Sequence, residues 1–258
     1  MAYYFAVAAL PPISLGVKPD MSFKEVKEML ALNLSKADMD LIALLVRPID
    51  LYNLRAHWLG IPLEEWDDKG NYSPKEFEEA LLVSDRLPEY LVDYLLKHES
   101  TEERLRYFSA LYVALYQDAV KNEFLKKYFR LEREIRLVLA ALRAKALGRD
   151  LMREFQFEDP HDSLVAQILA QKDSPEYMPP REYEDLKAIF GDNITDPQKQ
   201  HLAILQYRFA KIEELEEGSV FSIDQILGYL ARLILVEDWQ KLDREKGQTI
   251  LEQLSEHG

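Results

Sequence analysis

The sequence predicts an all-α fold: repeated helical modules with long central helices, packed as an elongated bundle. Three observations predict it. Helix-start signatures recur along the chain, apolar residues repeat at spacings of three and four, and no segment alternates convincingly with period two.

The opening Tyr3–Ala8 is the nearest approach to a strand, though a short helix or an extended arm suits it equally. Ser22-x-x-Glu25, Ser73-Pro74-Lys75-Glu76 and Ser222-x-x-Gln225 read as capping boxes, with Ser35-x-x-Asp38 a weaker relative. In each, the hydroxyl accepts an otherwise orphaned backbone N–H and the later side chain turns back toward the cap. Pro74, and Pro197 after Asp196, sit at first helical positions, where the missing N–H costs nothing. Leu105, Phe108, Tyr112, Leu115 and Ala119 form one apolar stripe. Phe124, Tyr128, Leu131, Ile135, Val138 and Leu142 form another after a slip in register. No Pro or Gly lies between Pro88 and Gly148, so one or two long helices are expected there, with a break near Lys121–Phe124. Leu202, Leu205, Phe209 and Ile212, then Ile223, Ile226, Leu227, Leu230 and Ile234, supply two further helical faces.

The chain also repeats itself. Arg55-Ala56-His57-Trp58-Leu59-Gly60, which reads as a helix ending in a glycine stop, is matched by Arg143-Ala144-Lys145-Ala146-Leu147-Gly148. Downstream, Tyr72-Ser73-Pro74-Lys75-Glu76-Phe77-Glu78-Glu79 is matched by Tyr177-Met178-Pro179-Pro180-Arg181-Glu182-Tyr183-Glu184-Asp185. The order is the same in both, but the second intervening loop is about 18 residues longer. With nine glycines and no flexible linker, residues 1–258 read as a single helical domain with an internal repeat, approximately 20–105 and 106–258. Repeated helical modules more often build interaction surfaces than a single catalytic cleft.

Composition narrows the function. A net charge of −14 repels phosphate backbones and anionic headgroups, so nucleic acid and direct membrane insertion are not expected. The segment Lys121–Arg153 runs against the trend with ten basic and four acidic residues. It suits a salt-bridged solvent face, the docking of an acidic partner, or packing against the acidic remainder of this chain. No cysteine is present, and the apolar opening lacks a basic leader and stops at Pro11-Pro12, which together suggest a cytoplasmic protein. No phosphate loop, nucleophile elbow or His-Glu-x-x-His occurs. Glu158-Asp159-Pro160-His161 contains one Glu-x-x-His, half of a di-metal motif that needs two copies on helices. The acidic runs Glu64–Asp68 and Glu213–Glu217 could supply paired carboxylates, although such runs usually face solvent. No cofactor, metal or catalytic residue is expected. The residues to watch for functional contacts are Asp50, Asn53, Arg55 and Arg143, although residues of these types in helices more often serve packing or capping.

Three segments resemble the C-type subunit of V-type and archaeal-type rotary ATPases (subunit d of the eukaryotic vacuolar enzyme), and more closely a shorter family encoded among bacterial V-type ATPase genes. They are Arg47-Pro48-Ile49-Asp50-Leu51-Tyr52-Asn53-Leu54-Arg55, Glu132–Gly148, and Val220–Leu230 leading to Trp239 and Asp243-x-x-x-Gly247. The opening Tyr3-Tyr4-Phe5-Ala6-Val7-Ala8-Ala9-Leu10-Pro11 looks like the start of the shorter family. The C-type subunit carries three helical modules arranged as a funnel. Two are found here, and Ala141 stands where the first copy has Asn53. The resemblance implies a funnel-like bundle and a non-catalytic coupling subunit. Its partners would be the shaft and rotor-ring subunits, and it would lie in the cytoplasm, peripheral to the inner membrane through that complex. An unrelated helical adaptor, an assembly factor for the ATPase, or a helical enzyme using clustered carboxylates are the alternatives.

Overall fold

The computed structural model describes residues 3–62, 65–83, 86–118, 120–192, 196–218 and 220–256, with 243–256 as helix backbone only. The described residues form fourteen α-helices and no strand, so the fold is all-α. Ala119 and Glu64 lie outside the described residues, and Asp243 and Gly247 fall where only backbone is described.

The helices belong to two compact units, Asp40–Met178 and Met1–Met39 with Pro179–Gly258. These boundaries cut across the repeat: both Arg-Ala-x-x-Leu-Gly stops lie in the first unit, whereas the second Pro-basic-Glu start lies in the other.

The Asp40–Met178 unit holds α4 (Arg47–Trp58), α5 (Pro74–Leu82), α6 (Glu89–Lys97), α7 (Thr101–Arg106), α8 (Ser109–Gln117), α9 (Glu123–Ala146), α10 (Leu151–Glu154) and α11 (Ser163–Ala170). One core joins Leu51 and Leu54 of α4, Phe77 of α5, Leu91 and Tyr94 of α6, Leu111 and Leu115 of α8, and Phe108 just before α8. Trp58 stacks on Tyr94 at 6.3 Å and meets Phe108 edge-on at 6.0 Å. Where one or two long helices are expected between Pro88 and Gly148, the described residues form four, α6 to α9, of which only α9 is long. The slip predicted near Lys121–Phe124 is real: Asn122 caps α9, accepting the Leu125 N–H at 2.8 Å. The break at Tyr107–Phe108 has no Pro or Gly to announce it. Tyr107 turns to stack on His98 at 5.0 Å, while its neighbour Phe108 enters the core beside Trp58. Two adjacent rings with different partners pull the chain out of one helical register.

The other unit holds α1 (Tyr4–Ala8), α2 (Phe23–Ala31), α12 (Glu184–Asp192), α13 (Pro197–Glu216) and α14 (Ile223–Glu256), and the chain passes between the units within α3 (Lys36–Leu45). The Tyr3–Ala8 segment is thus a helix. The boxes at Ser22 and Ser73 are complete. Asp38 closes on Ser35, and Asp196 accepts the Lys199 N–H. At Ser222 the Gln225 side chain reaches one residue further back, accepting from the Phe221 N–H at 2.9 Å.

Between α13 and α14 the spacing is set by Gly228. A Cβ there would lie 2.2 Å from Glu216 Cγ and 2.4 Å from its Cδ. Glu216 cannot swing away freely, because Arg232 holds both its oxygens at 2.6 and 2.9 Å. Burial nevertheless pushes the Glu216 carboxyl above its usual range, against the pull of Arg232. Gly228→Ala is expected to lower stability by about 1–2 kcal/mol in thermal unfolding, overpacking outweighing the roughly 1 kcal/mol gained from helix propensity. Adding Glu216→Ala should recover part of that loss; an unchanged melting temperature in the single variant would disprove the close approach.

Candidate interaction surface

The two Arg-Ala-x-x-Leu-Gly segments end α4 and α9 in the same way. Gly60 lies at φ +68 and Gly148 at φ +63. The Gly60 N–H donates to the His57 carbonyl at 3.1 Å and the Ile61 N–H to the Ala56 carbonyl at 3.0 Å. The Gly148 N–H donates to Lys145 at 3.1 Å and the Arg149 N–H to Ala144 at 2.8 Å. Each is a complete Schellman stop, which explains the glycine and the buried alanine that faces the turn. Arg55 and Arg143 stand exposed on the last turn, where a cation complements the helix dipole. In both copies the leucine before the glycine is also exposed, Leu59 and Leu147.

Asp50 and Asn53 lie three residues apart on α4, on one buried face. Asn53 pairs in both directions with Asp67, its Nδ2 donating to the carbonyl at 2.8 Å and its Oδ1 accepting the N–H at 3.0 Å. Asp50 accepts from the Asn71 backbone N–H at 2.7 Å and side chain at 2.6 Å. Asp67 also holds Lys69, Nζ to Oδ2 at 3.0 Å. Together they clamp the Asp67–Asn71 loop against the helix. Gly70 makes this possible, since a Cβ there would sit 2.8 Å from Asp50 Oδ1 and 3.1 Å from Asn53 Nδ2. A recess of about 520 Å³ opens beside the clamp, lined by Asp40, Arg47, Asp50, Asn71, Tyr72 and Arg86. Burial, reinforced by the nearby Asp50 carboxylate, raises the Tyr72 phenol above its ordinary value.

Ala141 replaces Asn53 in the second copy, yet the same two-way amide pairing reappears from another place. Gln171, just past α11, donates to the Met178 carbonyl at 3.0 Å and accepts its N–H at 2.8 Å. The longer second loop supplies that helix. Lys145 secures the same loop, donating to the carbonyls of Lys172 and Ser174, both at 2.6 Å.

The basic stretch is divided between two faces. Lys126, Lys127 and Arg130 are exposed, Lys126 pairing with Glu123 and Arg130 with Glu134. Arg133 and Arg136 turn inward and converge on Glu158, whose side chain is only 4% exposed. Arg133 reaches Glu158 at 2.9 Å and Asp162 at 3.0 Å, Arg136 pairs with the other Glu158 oxygen, and its guanidinium lies over Tyr112 and Tyr116. Burial works against the Asp162 carboxylate, but the Val165 N–H and Arg133 outweigh it and hold the group below its usual value. The Glu-x-x-His half-motif is thereby committed to arginines in a loop. Among the described residues, no group of three or more His, Asp or Glu side chains is placed to hold a metal ion. In the second acidic run Glu213 and Glu216 pair with Arg232 and Glu214 with Lys211. Asp67 of the first run belongs to the clamp.

The four residues singled out from sequence thus separate. Asp50 and Asn53 act together on the loop, while Arg55 and Arg143 occupy equivalent exposed positions at two helix ends. Over residues 1–257 the chain matches the family described as Protein of unknown function (DUF2764). The chain belongs to this family. An uncharacterized protein of Chlamydia trachomatis is 30% identical over 252 residues, covering 94% of each chain. Others from Chlamydia muridarum and Chlamydia pneumoniae are 29% and 30% identical, covering 96% of each chain. No solved structure matches.

Sequence reasoning missed one feature of this DUF2764 chain, an aromatic patch in the unit formed by residues 1–39 and 179–258. Phe221 lies at φ +47, the one non-glycine at positive φ among the described residues, at a cost of about 1–2 kcal/mol. Its ring packs on Tyr4 at 4.9 Å, and Tyr4 meets Phe5 at 5.6 Å. Strain of this kind leaves no mark in hydrophobic periodicity. Among the described residues no helix is long and apolar enough to cross a membrane.

Proposed function

We propose that the chain is a non-catalytic subunit that holds other protein subunits together, in the manner of the C-type subunit that seats the shaft of a rotary ATPase on its membrane ring. The duplicated helix stop carries this reading. One Schellman geometry, with the same exposed Arg and Leu, is built twice within one unit on rigid helices. Repetition of a surface element suits a protein whose work is contact rather than chemistry. The clamped loops favour it too, since torque is transmitted by packed elements and dissipated by mobile ones. Seating on the ring would rely on protein contacts and leave the chain peripheral to the membrane, because a net charge of −14 disfavours anionic lipid.

The affinity-tagged chain, expressed in a host with its own rotary ATPase, is expected to co-purify with shaft and ring subunits. Deleting it should leave an enzyme that hydrolyses ATP without moving ions. An intact, coupled ATPase purified from the deletion strain would refute the coupling role, and capture of unrelated proteins alone would favour a general helical adaptor.

A further inference from the structure

The aromatic patch has no role in the coupling reading and stands apart from it. Phe5 is 76% exposed and Val220 70%, with Tyr4 and Phe221 about half exposed. The rings form a continuous row from Phe5 through Tyr4 to Phe221, and Val220 precedes the last of them. Water gains nothing from such a surface, and a lone exposed ring would be unremarkable, but three rings in contact, with exposed Val220 adjoining the last in sequence, mark a contact site.

The backbone holds the patch in place rather than letting it collapse. The Phe221 N–H is tied to Gln225 Oε1 at 2.9 Å, and Ser222 caps the Gln225 N–H at 3.2 Å, so α14 fixes the left-handed residue at its own start. Gly218, at φ +85, turns the chain just before it. Around the rings the charge is acidic. Asp38 accepts the Tyr3 hydroxyl at 2.9 Å, and Asp224 acts on the same phenol. Exposed Glu217 leads into the Gly218 turn. The unit as a whole carries 13 Lys and Arg against 20 Asp and Glu.

We infer that the Tyr4–Phe5–Val220–Phe221 patch docks a basic amphipathic helix of another protein, its apolar side chains seated on the rings and its Lys or Arg residues meeting Asp38, Asp224 and Glu217. The charge pattern selects the partner. A second copy of this chain would bring the same carboxylates face to face, and a nucleic acid or anionic membrane would add further negative charge. An apolar centre with a charged rim is the arrangement that reads the one face of a helix and its flanks.

The test uses the full chain and a fluorescent Leu/Lys amphipathic peptide of roughly 18 residues, about five helical turns. Its Leu/Glu analogue is the control. Binding of the Leu/Lys peptide is expected to weaken about tenfold or more in Phe5→Ser and in Phe221→Gly, and to be unchanged in Leu96→Ser, an exposed apolar residue elsewhere. Phe221→Gly relieves the left-handed strain, so its melting temperature should hold or rise, which separates lost binding from lost folding. Equal binding of both peptides, or Leu/Lys binding indifferent to both patch variants, would overturn the proposal. So would a homodimer that Phe221→Gly dissolves.

Discussion

Glu158→Gln is expected to lower the stability of the Asp40–Met178 unit by about 3 kcal/mol, a fall in its melting temperature on the order of 10 °C. Glutamine keeps the shape and removes the charge. Arg133 and Arg136, both only partly exposed, would then lose the buried carboxylate they share, leaving Asp162 to serve Arg133 alone. A partly buried Arg136 without its carboxylate, beside an Arg133 left with one of its two, costs more than the pairs themselves contribute, because the penalty of burying charge remains while the attraction is lost. Removing all three charges together, as in Arg133→Met, Arg136→Met, Glu158→Leu, should therefore cost less than Glu158→Gln alone. Thermal unfolding of the two variants decides it. A Glu158→Gln protein within about 0.5 kcal/mol of the parent would mean that the arginines find water or other partners, and that the network does not order the start of α11.

Gly70→Ala is expected to cost about 3 kcal/mol, from overpacking together with the loss of buried hydrogen bonds. The added methyl would occupy the space in which Asp50 and Asn53 meet the loop backbone, and neither side chain has room to retreat. Asn53 is wholly buried, and Asp50 is tied to Asn71 by two hydrogen bonds. The loop should detach before the helices melt. Proteolysis between Asp67 and Asn71 is accordingly expected to accelerate under conditions where the rest of the unit stays folded. The same substitution in an Asn53→Ala background should cost distinctly less, since one of the two obstructed groups is already absent. Additive costs would place the damage elsewhere.

Much of the fold was legible because its signals are local. A serine three residues before a glutamate, a glycine after a leucine at the end of an apolar stripe, and a stripe that shifts phase each constrain only one or two turns of chain. The capping boxes at Ser22 and Ser73, the two glycine stops and the start of α9 followed from such signals. The break at Tyr107–Phe108 did not, because it depends on where His98 and Trp58 lie. The basic stretch Lys121–Arg153 illustrates the limit most clearly. Its charge was plain, but which arginines face solvent and which face Glu158 depends on a loop about 20 residues away in sequence. Likewise the amide that replaces Asn53 in the second copy comes from Gln171, which no alignment of the two motifs would select.

The sequence by itself determined that the chain is helical, where most helices start and stop, and that one stop is used twice. Those outcomes rest on backbone hydrogen bonds satisfied within a few residues. Only the tertiary structure decided that the chain forms two compact units, one of them made from both ends of the chain. It alone set Asp50 and Asn53 to clamping a loop, joined Glu158 to two arginines, and displayed the strained Phe221 beside Tyr4. Each of those depends on groups far apart in sequence competing for the same space and the same charge, and that competition is settled only when the helices pack.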